Sequence, residues 1–240
     1  MSAAAERADR AAEAAGAVAQ LDEVTRRLRR ECPWDREQDE RSIVPHTVEE
    51  AYELADAAAS GDDAKLLDEL GDVLFQVHFL ALLLEERGAG SLAAVADGCR
   101  EKLVRRHPHV FGEAEAATAA EVRENWDEIK RTREGRGDGD AFADLPENLP
   151  ALLYARKSVR RGEQRLRPSP VPDAVLRTLG ASARRLADGG TRDELEAAAG
   201  DALLALVELT ADAGVDPELS LRAATRRRQA ELGEDGALRG

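Results

Sequence analysis

Apolar residues in this chain recur at helical spacing, and no stretch alternates convincingly with a period of two. Between residues 64 and 87, Leu66, Leu70, Val73, Val77 and Leu84 fill one face. Glu69, Asp72, Gln76, Phe79 and Leu83 follow one another along the opposite face. A helix apolar on two sides is covered on two sides, so this pattern predicts a long buried helix whose acids point inward. Further helices are expected over 21–30, stopped by Cys32-Pro33, and over 47–59, opened by a capping box Thr47-x-x-Glu50. Ser60-Gly61-Asp62 supplies a turn, Ser91 opens a helix ending near His107-Pro108, and Thr118-x-x-Glu121 starts another that reaches about Arg133. With Ala, Leu, Glu and Arg abundant and β-branched and aromatic residues sparse, the expected fold class is all-α.

Residues 134–140 (EGRGDGD) break the periodicity and read as a linker. Helical pattern returns from Leu149 to Gln164, breaks at the proline-rich residues 168–172, and continues to the end. The expected organisation is therefore a flexible lead-in (1–16), a first helical domain (17–133), a linker (134–147) and a second helical domain (148–240). A faint internal repeat relates the two: Gly71-Asp72 aligns with Gly200-Asp201 and the flanking apolar positions match. Glu69, however, aligns with Ala198, and residues 174–187 contain no counterpart of Glu49, Glu50 and Glu53 except Arg-flanked apolar sequence. The second half reads as a degenerate copy that has lost its acids.

Charge narrows the choice of function. The 240 residues carry 34 Lys and Arg against 48 Asp and Glu, a net charge of −14. Such a field repels phosphate backbones and anionic lipid, so neither nucleic acid nor a membrane surface is an expected partner. The N-terminal residues lack the apolar core of a secretory leader, and two cysteines do not make a disulfide scaffold. A cytoplasmic location is expected.

The acids themselves fall into two pairs. Glu50 and Glu53 are three residues apart on one helix, with Glu49 adjacent, and Glu69 and Asp72 are three apart on the next. The short Ser60-Gly61-Asp62 turn makes the two helices antiparallel neighbours, so the pairs can face each other. Converging carboxylates repel unless a cation lies among them, and an all-oxygen donor set favours Mg²⁺, with Mn²⁺ as a substitute, over zinc. A solvated acidic face and a helix cap at Glu50 are the alternative readings of these same residues.

Four ordered motifs carry a resemblance. Glu49-Glu50-Ala51-Tyr52-Glu53 with Glu69-Leu70-Gly71-Asp72 (EExxE then ExxD), Cys32-Pro33-Trp34-Asp35-Arg36-Glu37-Gln38, Arg105-Arg106-His107-Pro108-His109-Val110-Phe111, and Asn125-Trp126 with Lys130 together resemble the MazG family of nucleoside triphosphate pyrophosphohydrolases. The resemblance implies an all-α, Mg²⁺-dependent enzyme that hydrolyses NTPs or dNTPs to nucleoside monophosphate and pyrophosphate. It places the metal ligands on Glu50, Glu53, Glu69 and Asp72, with Glu49 positioning or activating water. A non-catalytic helical protein that senses nucleotide is the competing reading.

Phosphate binding also needs fixed cations. Lys102 and Arg106 are four apart with Arg105 beside them, and Lys65 lies one turn before Glu69. Trp126 is a candidate for stacking on a base and Trp34 for covering the pocket, and both are equally candidates for core packing. His78 is expected to be a hydrogen-bonded core residue, His107 and His109 to shape a turn, and Cys32 and Cys99 to be buried free thiols. Small helical domains with few aromatics have limited cores, so a homodimer or higher homo-oligomer is expected.

Overall fold

The structure is a computed structural model that describes residues 2–133, 142, 145, 146, 148–165 and 172–237. Every regular element among these is an α-helix. The chain divides into two compact units, Met1–Trp126 and Asp127–Gly240. The expected linker, 134–140, and most of the proline-rich break lie outside the described residues.

The first unit contains α1 (Ala3–Glu31), α2 (Pro33–Glu37), α3 (Glu40–Ser60), α4 (Asp63–Glu86), α5 (Leu92–Arg106) and α6 (Pro108–Phe111), while α7 (Ala119–Arg133) runs across the division. The first helix extends well beyond 21–30, back to an N-cap at Ser2, and its residues 3–20 are exposed. Cys32 ends it, as the following proline requires.

The start of α3 differs from the Thr47-x-x-Glu50 expectation. Asp39 is the N-cap: its carboxylate accepts from the N–H groups of Arg41 and Ser42 (2.9 Å each), and the Asp39 N–H donates back to Ser42 Oγ (2.9 Å). The helix then passes through Pro45. A proline normally marks a helix start, because an interior one gives up a hydrogen bond, so the sequence imitates a start just before Thr47. Thr47 is instead interior, its hydroxyl donating to the Ile43 carbonyl (3.3 Å) and reaching Gln76 Oε1 on α4 (3.4 Å). Glu50 is thereby released from a capping role.

The α3–α4 turn follows expectation. Gly61 closes α3 in the left-handed region (φ 72°), where a Cβ is unfavourable. Asp62 then caps α4, accepting from the N–H groups of Ala64 (3.0 Å) and Lys65 (3.2 Å). The two helices form an antiparallel hairpin whose far end is apolar: Ile43, Phe79 and Leu83 are buried together, with Phe75 and Leu80 packed against them. Glu69, Gln76, Phe79 and Leu83 are buried as their stripe predicts, whereas Asp72 of the same stripe is exposed. Leu70 and Val77 of the opposite stripe are exposed, with Leu66, Val73 and Leu84 half-buried, so this unit alone covers only one side of α4.

Helix α1 docks on α4 through ion pairs, Arg26 with Glu85 (2.6 Å) and Arg29 with Glu86 (2.9 Å). His78 is buried beside this seam, but it is not hydrogen-bonded as expected. Neither ring nitrogen has a partner among the described residues, and Asp22 stands 3.8 Å away with its carboxylate already bonded to Arg26. The cysteines also differ from expectation: Cys32 is half-buried and Cys99 exposed, because α5 buries no residue. Thr118 and Glu121 do form the reciprocal cap expected of them, and His107 links α5 to α6 with its Nδ1 2.6 Å from the Leu103 carbonyl.

The second unit contains α8 (Ala151–Arg165), α9 (Pro172–Asp188), α10 (Arg192–Asp212) and α11 (Pro217–Ala237). Helices α9 and α10 pack as another hairpin, with Thr191 and Glu194 forming a capping box at its turn. Arg156 of α8 pairs with Asp216 just ahead of α11.

Phe79 is fully buried between α3 and α4, so Phe79→Ala is expected to cost about 3–5 kcal/mol through lost contacts and a cavity. Asp62→Ala, which removes only the α4 cap, is expected to cost about 1 kcal/mol. Chemical denaturation of the two variants against the parent checks both values and their order.

Candidate metal centre

The two acid pairs sit at the turn end of the α3–α4 hairpin, opposite the Ile43–Phe79–Leu83 core. Because the Gly61-Asp62 turn sets the register, Glu50 of α3 comes to the side of α4 that carries Glu69 and Asp72. One carboxylate oxygen from each of Glu50, Glu69 and Asp72 lies within 4.8 Å of the others. Glu69 is buried, Glu50 half-buried and Asp72 exposed, so the cluster opens from the interior toward solvent.

Crowding of like charge changes these groups. The Glu50 carboxyl is raised above the ordinary carboxylate range by burial, and then by the nearby charges of Asp72, Glu53, Glu69 and Glu49. Glu69 is raised by burial and by Glu53, Asp68 and Asp72, with Lys65 acting in the opposite direction. Its buried Oε2 has no hydrogen-bond partner among the described residues. A buried, unpartnered carboxylate oxygen is costly without a compensating cation. Oxygen ligands of an octahedral Mg²⁺ stand roughly 3.0 Å apart when adjacent and roughly 4.2 Å when opposite, so an ion bound here would draw the trio inward. The all-oxygen donor set and the orphaned Glu69 oxygen both fit a divalent cation.

The other expected site residues divide into two groups. Glu53 and Glu49 are exposed on α3 and reach the cluster through their charge on Glu50; Glu53 also acts on Glu69. Lys65 acts on Glu69 from the preceding turn of α4, and an open cavity lined by Lys65, Asp68, Gly71 and Asp72 adjoins the cluster. Gly71 faces open space there, since a Cβ would meet nothing within 4 Å. Lys102, Arg105 and Arg106 occupy the end of α5. Trp126 meets the edge of His107 with ring centroids 4.9 Å apart, which ties it to the α5–α6 junction. The Lys130 side chain lies outside the described residues.

His46 is a site neighbour that the sequence reading did not single out. Its ring packs edge-on against Trp34 (centroids 5.9 Å), and its Nδ1 lies 3.8 Å from the Glu49 carboxylate. The signal was its spacing of four residues from Glu50, which puts it one turn along the same face. Trp34 remains 50% exposed, so it is not the core residue that its size allows. The Trp34–His46 pair therefore lies about one helical turn from Glu50, on the side away from the Gly61 turn.

In the second unit, the repeat places Ala198, Ala205 and Val207 where the first has Glu69, Gln76 and His78, and all six residues are buried. A cavity of about 260 Å³ lies between α9 and α10, lined by Thr178, Asp201, Leu204 and Ala205 among others. Asp201, which the sequence aligns with Asp72, and Glu208 are the acids at this lining, while Ala198 is aligned with Glu69 and supplies no ligand.

Residues 38–111 match the MazG nucleotide pyrophosphohydrolase domain, a span that contains α3, α4 and the whole carboxylate cluster. The nucleoside triphosphate pyrophosphohydrolase/pyrophosphatase MazG of Thermotoga maritima is 36% identical over 196 residues, covering 82% of this chain and 75% of its own length. The nucleoside triphosphate pyrophosphohydrolase of Escherichia coli is 37% identical over 204 residues, covering 82% and 77%. A crystal structure of a MazG-related protein from Thermotoga maritima, 27% identical, covers 46% of this chain and 96% of its own, with a TM-score of 0.41. With converging carboxylates on a helical hairpin and two relatives matched over most of their length, this chain belongs to the MazG nucleotide pyrophosphohydrolase family.

Proposed function

We propose that this protein hydrolyses nucleoside triphosphates, NTPs or dNTPs, to nucleoside monophosphate and pyrophosphate, and that it does so with Mg²⁺ held by Glu50, Glu53, Glu69 and Asp72. The observation that carries the reading is the convergence of Glu50, Glu69 and Asp72 within 4.8 Å around an unpartnered buried oxygen. The names of the relatives agree with it. Mg²⁺ supplies positive charge that neutralises the triphosphate and the departing pyrophosphate. Glu49, exposed beside the ligands, takes the proton of the attacking water. Lys65, Lys102, Arg105 and Arg106 hold phosphate oxygens, and Lys130 extends that set. Trp34 and Trp126 present ring faces or edges to the base. The role is removal of non-standard nucleotides or adjustment of nucleotide pools in the cytoplasm. No helix among the described residues is long and apolar enough to cross a membrane.

The second unit belongs to this reading as a degenerate copy, residues 148–240, that supports assembly. Its aligned positions bury alanine and valine where the first unit buries Glu69, Gln76 and His78. Of the four proposed ligands only Asp72 keeps an acidic counterpart, Asp201, and the one other acid at that cavity, Glu208, aligns with Phe79 rather than with a ligand. The working molecule is a homodimer formed across α4, where Leu67, Leu70, Leu74 and Val77 make an exposed apolar stripe at helical spacing.

The first test is pyrophosphate release from a panel of NTPs and dNTPs with Mg²⁺. Glu69→Gln and Asp72→Asn are each expected to reduce it beyond the ~10–100-fold typical of residues that merely support a metal ligand. Binding of nucleotide without turnover by the parent would instead establish the sensor reading. Metal-free stability gives an independent check. Glu50 and Glu69 are raised in the folded state, so at these two sites the folded protein holds more protons than the unfolded chain. Their contribution to stability therefore falls as pH rises from the ordinary carboxylate range through the raised values, against the opposite contribution of the lowered Glu85 and Glu194. Thermal unfolding in chelator is expected to show this decline, Mg²⁺ to reverse it, and Glu69→Gln to be more stable than the parent without metal. For assembly, Leu70→Glu with Leu74→Glu is expected to shift the mass measured by light scattering from dimer to monomer.

A further inference from the structure

Helix α2 carries Trp34 but has little of its own to hold it. It is five residues long, far below the length at which a helix is stable alone, and Trp34 is half exposed. What holds it is a side chain from α1. Arg29 Nη1 donates to the Asp35 carbonyl (2.5 Å) and to the Gln38 carbonyl (3.0 Å), at the end of α2 where carbonyls lack helical partners. The rest of the same guanidinium is fixed by α4: Nε and Nη2 donate to the two Glu86 carboxylate oxygens at 2.9 Å each. Its carbon lies 5.9 Å from the centre of the buried Phe79 ring, and the side chain is 17% exposed. One planar group therefore bonds α1, α2 and α4 together. The Gln38 amide adds a bond to the Trp34 carbonyl (2.8 Å), which carries the restraint to the tryptophan itself.

We infer that Arg29 is a positioning residue for nucleobase binding, holding α2 so that Trp34 stands against His46 beside the carboxylate cluster. The inference rests on the reading of Trp34 as a base contact. His46 is four residues from Glu50, about 6 Å along the helix axis, so Trp34 lies within reach of a base whose phosphates meet the carboxylates. An error of an ångström in such a contact weakens binding in the productive pose without altering the metal ligands. The task requires an arginine. A lysine keeps the charge opposite Glu86, but as a compact point charge it lacks the fork needed to donate to two carbonyls and a carboxylate together. Arg26 supplies the control. It pairs with Asp22 and Glu85 on the same α1–α4 seam, and its hydrogen bonds go to those two acids rather than to α2.

The experiment compares Arg29→Lys, Arg26→Lys and Trp34→Ala in steady-state pyrophosphate release. The two tryptophan indole N–H signals are followed by NMR in the arginine variants and assigned with Trp34→Phe. Arg29→Lys is expected to raise KM about tenfold, the equivalent of one charged hydrogen bond, with kcat within about twofold, and to move the Trp34 indole signal. Trp34→Ala is expected to raise KM at least as far, and Arg26→Lys to leave both KM and the Trp34 signal in place. A raised KM in Trp34→Ala with an unmoved KM in Arg29→Lys would overturn the inference alone. An equal rise in Arg26→Lys would also overturn it, reducing Arg29 to one more strut of the seam. An unchanged KM in Trp34→Ala would overturn the base contact, and the positioning role with it.

Discussion

Like-charge repulsion at the turn end of the α3–α4 hairpin is the constraint around which the first unit is organised. Glu50, Glu69 and Asp72 bring their oxygens within 4.8 Å, and Glu69 is buried with an oxygen left unpartnered. At effective protein dielectric, charges this close repel by a few kcal/mol per pair, and burial adds to it. The hairpin holds because its other end is dry: Ile43, Phe79 and Leu83 close on each other, and Gly61 with Asp62 fixes the register between the helices. Arg29 and Arg26 then tie α1 to the far end of α4. The repulsion is retained rather than relaxed.

The second unit builds a hairpin of α9 and α10 without a buried carboxylate: the buried residues of these helices are Val175, Ser182, Ala198, Ala205 and Val207. Small uncharged side chains pack two helices without desolvating a carboxylate. The buried Glu69 of the first unit is, by contrast, unfavourable in the absence of a compensating cation.

Much of this was legible in the sequence, because it depends on local periodicity. The stripe Glu69, Gln76, Phe79, Leu83 is buried as spaced, with Asp72 alone left exposed, and Ser60-Gly61-Asp62 makes the turn it spells. The start of α3 was not legible, since Pro45 imitates a helix start and hides the true cap at Asp39. The cysteines escaped for another reason, since burial depends on which helices meet and α5 turns out to bury nothing, whereas His78 is buried as expected and lacks only its hydrogen bond. The pairing of Trp34 with His46, and the bonds of Arg29 to α2, are contacts between segments that no spacing rule encodes. Exposure of Leu70 and Val77 follows likewise from packing, since a helix apolar on two sides does not say whether the second cover comes from its own unit.

The most direct test of the account is a Mn²⁺ titration of the nucleotide-free protein followed by electron paramagnetic resonance, with the parent beside Glu69→Gln. The account predicts saturable binding by the parent and a large loss of affinity in the variant, since Glu69 supplies the buried oxygen at the centre of the cluster. Equal affinity in the two proteins, or no saturable binding in the parent, would contradict the claim that these carboxylates converge to hold a cation.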